Sequence, residues 1–494
     1  MNTKIMAVSA LAVVLFLLAG CNEPSGNFKP GKFTWVAEYI DDYDGYNFSD
    51  GIPLKVNLDT ESDWINLLAV FSYKSKFIDL DISGSAYSGF TAFDPGKFKT
   101  GKRYILKLKL PDISTSVASG TRETPAFGFF SYLEEISGKN VEELGGYLFA
   151  GTVLKKIDFP ALTSIGSYAF YNSRNLDSVT IPESMDSIKE GTFANSGIKN
   201  IVIPSGVESI EASAFSGCTG LTGVIIPNSV TNIGNSVFSN CSRLTSIDIP
   251  NSVTNIGSSA FSGCIGLTGV IIPSSVGSIE ASAFSGCTGL TSVIIPNSVT
   301  VIGNSVFSNC SRLTSVIIPN SVTSIGTYAF SGCTELETIT IPPNVITIGD
   351  FAFSGSSLKS VTIPPSVTSI GSGAFRNCKW LATVNISAGI TVIRDYTFWG
   401  CDFESITIPS SVTSIESGAF RETKLKSVII PINIGNIGDN AFLDCKNLAT
   451  VKFEGASTTF STNSFPGDLH AKYSTGGSGT YITPSPGNGA EWQK

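Results

Sequence analysis

The chain has 494 residues, a net charge of −8, 42% hydrophobic and 15% charged residues, and 49 glycines. That balance excludes intrinsic disorder, which needs low hydrophobicity and high charge. An acidic, sparsely charged chain also argues against nucleic acid as a partner, and the length suffices for two or three ordinary domains.

Residues 1–20 read as an export signal. Lys4 supplies a positive start, and Ala7 to Leu18 is almost unbroken apolar sequence, too short for a spanning helix. The following Leu18-Ala19-Gly20-Cys21 resembles the lipobox of bacterial lipoproteins residue for residue. The resemblance implies diacylation of the Cys21 sulfur, cleavage before Cys21 and acylation of the new amine. Two or three acyl chains give stable anchoring where one is marginal, so the membrane is an expected partner through Cys21. Asn22, in place of Asp, is compatible with outer-membrane sorting by analogy with enteric rules.

Residues 21–51 are polar and aromatic and are expected to form a tether with some strand. Asp41-Asp42-Tyr43-Asp44-Gly45 is similar to a calcium loop but lacks the full ligand spacing and the terminal Glu. Residues 52–132 read as an N-terminal cap and divergent first repeats, with an independent β-domain as the alternative. Ser62 is placed to cap a helix carrying Trp64, Leu67, Leu68 and Phe71 at helical spacing. Phe77 to Ile82 and Tyr104 to Leu110 alternate as strands. Aligning Ile82 with Leu110 sets Asp79 beside Lys107 and Asp81 beside Lys109.

Residues 133–455 are a repeat array. Thirteen phenylalanines from Phe170 to Phe442 recur every 22 or 23 residues, the mark of a solenoid whose coils contact only their neighbours. One coil runs Leu290-Thr291-Ser292-Val293-Ile294-Ile295-Pro296. It alternates, is rich in β-branched residues, and ends at a proline that lacks a ladder donor. Ile302-Gly303 then turns the chain inward, and the segment around Phe307 is expected to form a short helical or 3₁₀ turn. The block Ile210–Pro250 nearly repeats as Ile279–Pro319, an offset of 69 residues or three coils. This consensus resembles BspA-like leucine-rich repeats of bacterial surface proteins over roughly Leu133 to Phe453. It departs from common leucine-rich repeats in having Phe and Cys where those have leucines and an asparagine ladder. The expected fold class is a β-rich solenoid, a leucine-rich-repeat-like right-handed superhelix. A parallel sheet lines one face, and short turns or 3₁₀ segments line the other.

Nine cysteines, from Cys218 to Cys445, each lie three residues after a repeat Phe, where other coils carry Ser173, Ser196, Ser356 and Thr423. A position shared by Cys, Ser and Thr suits a small side chain that hydrogen-bonds a turn, which favours buried free thiols. Disulfides between coils are the alternative in an oxidising compartment. No Cys-x-x-Cys pair is present, so no zinc site is expected. Residues 456–494 read as a C-terminal cap hairpin with a ragged end. They hold His470, the one histidine. No nucleophile near it suggests a triad, so neither catalysis nor a cofactor is expected.

Between the inward residues of each strand lies one outward position. Along the array it holds Val202, Ile225, Asp248, Ile271, Ile294, Ile317 and Thr340, among others. Contiguous exposed apolar surface marks interaction sites, which singles out Val202, Ile225, Ile271, Ile294 and Ile317. Trp380 and Trp399, with Arg376, Lys379 and Arg394, form a second candidate patch. The resemblance implies a lipid-anchored surface protein of the bacterial envelope that binds host matrix, host-cell or bacterial surface proteins. A passive stalk or scaffold is the other reading, and the oligomeric state stays open.

Overall fold

The computed structural model describes residues 33–43, 51–90, 92–94 and 101–494. The export signal, Cys21 and most of the expected tether, with Asp44 and Gly45, lie outside them. Two compact units divide the chain: one runs to Val207 and includes Ala214–Leu221, and the other comprises Glu208–Ser213 and Thr222–Lys494.

The first unit opens on a helix, Thr34–Asp41. Phe33, Val36, Ala37 and Ile40 are buried, the i, i+3, i+4, i+7 stripe of a helix packed on one side. The expected tether is therefore corrected over these residues. The Tyr39 hydroxyl donates to the carbonyl of Pro53 at 2.9 Å. A second helix, Glu61–Lys74, starts at Thr60 and not at Ser62. Thr60 Oγ1 accepts from Asp63 N–H at 3.2 Å, and the Asp63 carboxylate accepts from Thr60 N–H at 3.0 Å. This reciprocal capping box decides the boundary. Trp64, Leu67, Leu68 and Phe71 are buried as expected.

Strands Ile52–Lys55, Ile78–Asp81, Ile105–Lys109, Glu135–Ser137 and Lys156–Asp158 form one parallel sheet in chain order. Asp79 lies opposite Lys107 and Asp81 opposite Lys109, the register set by Ile82 and Leu110. The edge strand contains Pro53, which offers no N–H to another chain.

The second unit shows the coil plainly. Strands Gly269–Ile271, Ser292–Ile294 and Ser315–Ile317 stack in parallel, with Val293 and Ile295 buried between coils. After Pro296, Val299 N–H closes a turn onto the Pro296 carbonyl. The Ser298 hydroxyl, like Ser275 and Ser321, donates to the carbonyl of a valine one coil back. A second ladder follows, which the sequence reading missed: Asn232–Ile233, Asn255–Ile256, Ser278–Ile279, Val301–Ile302 and Ser324–Ile325 pair in parallel. The pair ending at the Ile, as Val301–Ile302, is thus a short strand, and the glycine after it opens a tight turn, as where Ala329 N–H closes onto the Gly326 carbonyl at 3.3 Å. A Cβ on Gly349 would lie 2.5 Å from the Thr327 nitrogen, so the glycine there serves close backbone approach. Left-handed backbone occurs instead two residues before and two after each Phe, as at Ser305 (φ 56°) and Asn309 (φ 59°).

Around each Phe the backbone donors alternate. Ser308 and Cys310 N–H close tight turns on Ser305 and Phe307, while Phe307 N–H reaches Ala329 in the next coil. The phenylalanine rings stack face to face, with centroids 5.5 Å apart for Phe238–Phe261 and 5.6 Å for Phe398–Phe420. The column reaches beyond the thirteen, to Phe149 and Phe127 in the first unit and to Phe465 in the second. All nine cysteines are buried free thiols.

At the C-terminal end, Gly479–Ile482 pairs antiparallel with Thr450–Phe453 and covers the last parallel edge. The expected ragged end is corrected: Trp492 is fully buried, and its Nε1–H donates to the Pro466 carbonyl at 2.9 Å.

Candidate functional site

Because strand side chains alternate, strands such as Ser292–Ile294 bury a Val and the Ile that follows, here Val293 and Ile295, and present the residue between them outward. Every outward position assigned from sequence, from Thr180 to Lys452, is exposed. Ile271, Ile294 and Ile317 lie in direct register on adjacent strands and are 79%, 64% and 56% exposed. Strand spacing of about 4.8 Å makes them a continuous aliphatic row. Beside it lie Gly269, Ser292 and Ser315, so no charge stands next to the isoleucines on their own strands. Asp248 precedes the row, bridged to Ile271, and separates it from the exposed Ile225. Val202, in the first unit, is also exposed.

The outer face of the first unit's sheet is charged instead. Lys107 lies 3.5 Å from Asp79 and 3.8 Å from Glu135, and Lys109 lies 3.5 Å from Asp81. Burial pushes the Asp81 carboxyl up, but hydrogen bonds from Ser83 and the charges of Lys109 and Lys55 outweigh it and hold it below its ordinary value. Alternating signs at this spacing neutralise one another, which marks a solvated, self-paired surface.

The two tryptophans are placed differently from each other. Trp380 is 66% exposed. Trp399 is half-buried between two guanidinium groups, Arg376 at 4.1 Å and Arg421 at 5.3 Å from its ring. Sequence reasoning missed Arg421. It shares with Arg376 and Trp399 the position just after the repeat Phe in three successive coils, and that column was the available signal.

His470 packs edge-on against Phe460 at 5.4 Å. Among the described residues, no group of three or more His, Cys, Asp or Glu side chains could hold a metal ion, and no helix is long and apolar enough to cross a membrane.

Comparison with known proteins matches the chain to the BspA type leucine rich repeat region in six copies, over residues 142–268, 254–382 and 347–472. A leucine-rich repeat protein from Bacteroides ovatus is 30% identical over 58% of this chain and 78% of its own, with a TM-score of 0.48. A leucine rich cell surface protein from Faecalibacterium prausnitzii is 31% identical over 52% of this chain and 88% of its own, with a TM-score of 0.35. The leucine rich repeat protein of T. pallidum is 31% identical over 37% of this chain and 77% of its own, with a TM-score of 0.29. No functionally curated protein matches. With the phenylalanine column, the paired ladders and a repeat match spanning most of the array, the chain belongs to the BspA-type leucine-rich repeat family.

Proposed function

We propose that this chain is a surface-displayed lipoprotein, anchored through Cys21, that binds proteins of a host or of other bacteria across its open strand face. The observation that supports this reading is the row Ile271–Ile294–Ile317, exposed and in register. Three aliphatic side chains held at strand spacing on a rigid array lose little conformational freedom when covered, and exposed contiguous apolar surface of this kind marks interaction sites. Affinity then comes from a broad face, not from an enclosed cleft.

The test uses acyl-free protein and a panel of immobilised extracellular-matrix proteins. Changing Ile271, Ile294 and Ile317 together to Ser is expected to weaken the saturable signal by about tenfold or more. Folding is kept, because all three side chains point away from the core. Equal affinity for variant and wild type would remove the row as the contact. The near identity of the coils favours a second reading, a passive envelope stalk. That reading expects no saturable binding to any partner. Surface display is tested separately, by protease shaving of intact cells: a chain that resists until the envelope is opened faces inward.

A further inference from the structure

A second surface, on the turn side of the coils, carries different chemistry. Arg376, Trp399 and Arg421 occupy one column in three successive coils, and the indole of Trp399 lies between the two guanidinium groups. With both faces covered, Trp399 has no free face for a ligand; it spaces and orients the two cations. Arg421 is neutralised by Asp444 at 3.2 Å and Glu422 at 3.3 Å. Arg376, Lys379 and Arg394 have no carboxylate within ion-pair distance among the described residues. Trp399 Nε1, Arg376 Nε and Arg421 Nε are buried without a hydrogen-bond partner, so ring stacking and not polar pairing holds these groups in place, and the cations left without a carboxylate among the described residues are Arg376, Lys379 and Arg394. Asn377 N–H donates to the Trp399 carbonyl at 2.7 Å, which holds the turn 376–380 directly against this stack. On that turn Trp380 points into solvent, with no ring or cation packed on it among the described residues.

We propose that this cluster binds an acidic polysaccharide. A sugar ring would lie on the open face of Trp380, and the polymer's carboxylate or sulfate groups would meet Arg376, Lys379 and Arg394. The π face of an indole is negative and attracts the slightly positive C–H groups of a pyranose, while guanidinium groups pair with carboxylate and sulfate in a planar fork. A linear polyanion also suits cations spread over two adjacent coils. An acidic polypeptide would satisfy the cations but leave Trp380 without a role, so dependence on Trp380 separates the two ligands.

The experiment measures binding of the full acyl-free chain to polygalacturonate, heparin, poly-glutamate and neutral dextran. The expected result is binding to polygalacturonate or heparin that weakens with rising salt and is absent with dextran. Trp380→Ala and the double variant Lys379→Gln with Arg394→Gln, all three exposed side chains, should each weaken it at least about tenfold, with unchanged thermal unfolding. The Ile271, Ile294 and Ile317 triple variant should bind as wild type, which keeps this site distinct from the protein-binding row. The proposal is overturned if neither polysaccharide binds, if Trp380→Ala binds as wild type, or if poly-glutamate binds as tightly as the polysaccharides.

Discussion

The cysteine column owes its composition to one hydrogen bond. Cys264 Sγ–H donates to the Phe238 carbonyl one coil back at 3.0 Å, and Cys310 does the same to Phe284 at 3.2 Å. Ser173 makes the equivalent bond to Phe149 at 2.7 Å, which explains why Cys and Ser interchange there. Burial pushes the thiols up, to about 12 at Cys264 and Cys310 and to about 11 at Cys218 and Cys445, from an ordinary 9.0. These four thiols are therefore expected to be inert to a thiol reagent at pH 8 and to react on unfolding; at Cys378 burial pushes the thiol up, but hydrogen bonds with Cys401 and Ser356 outweigh it and hold it below the ordinary value. The linkage has a definite sign. Above pH 9 the unfolded chain releases thiol protons that the folded chain keeps, so stability is full below that pH and falls as pH rises toward 11–12. Between pH 8 and pH 10 each such thiol should cost about 1.4 kcal/mol. Cys264→Ser should lower the alkaline loss by that amount in chemical unfolding at the two pH values; an equal loss in both proteins would refute the assignment.

A second residue-scale rule links aromatic rings to glycines. Phe351, two residues before Phe353, lays its ring over Gly373 in the next coil, and a Cβ there would meet the ring at 2.4 Å. Tyr396 covers Gly418 in the same way at 2.6 Å. Both glycines also have positive φ, 63° and 61°. Gly355 has φ 71°, but its Cβ would have open space to 4.0 Å. Gly355→Ala should cost only the left-handed backbone penalty, about 1–2 kcal/mol. Gly373→Ala should cost at least about 1 kcal/mol more through displacement of the ring. Combining it with Phe351→Ala should remove that excess, measured by a double-mutant cycle in denaturant.

At the scale of elements, what was legible depended on whether a local period fixes a face. Over Ser292–Ile295 the two-residue alternation sets Val293 inward and Ile294 outward, and nothing in the rest of the coil can reverse it without exposing the core. The Asp79–Lys107 pairing was legible because Ile82 and Leu110 end equivalent strands. The ladder through Val301–Ile302 was not, since two residues hold no period and only stacking on neighbouring coils makes them a strand. Thr34–Asp41 is little more than two turns of helix, marginal by itself, and its stripe has meaning only once the chain folds back and the second helix, Glu61–Lys74, packs beside it. Phe149 escaped because it lies 21 residues before Phe170, outside the 22- or 23-residue rule, although its ring stacks 5.5 Å from that of Phe170. The candidate site divides the same way. The isoleucine row follows from alternation, whereas the stacking of Trp399 between Arg376 and Arg421 needs the lateral register of three coils.

At the scale of the whole molecule, nearest-neighbour stacking makes the array tolerant of removal by whole coils and intolerant of anything else. Within the second unit, Ile233-Gly234-Asn235-Ser236-Val237-Phe238 recurs as Ile302-Gly303-Asn304-Ser305-Val306-Phe307. Deleting Gly234–Ile302 therefore joins Ile233 to Gly303 with unchanged local sequence and removes three coils. Ladder pairs such as Ile256–Ile279 leave together with both partners, so no strand loses a neighbour without gaining an equivalent one. The shortened chain should fold with the same circular dichroism per residue, and its denaturant slope should fall by roughly a seventh, in line with the surface lost. Deleting Gly234–Thr291 instead joins a second-ladder strand to a first-ladder strand out of register. It should give exposed hydrophobic surface and aggregation, seen by dye binding and light scattering; a cooperative fold from that chain would show that stacking register is not what holds the array. The in-register deletion also reaches the proposed function. It removes Asp248, Ile271 and Ile294 and brings Ile225 into the coil next to Ile317, so only Ile317 of the three isoleucines stays and the outward residues before it become Ile225 and the smaller Val202. Binding through the row should weaken while folding is kept. A passive stalk would only be shortened, so any saturable interaction unchanged by this deletion must be made elsewhere on the chain.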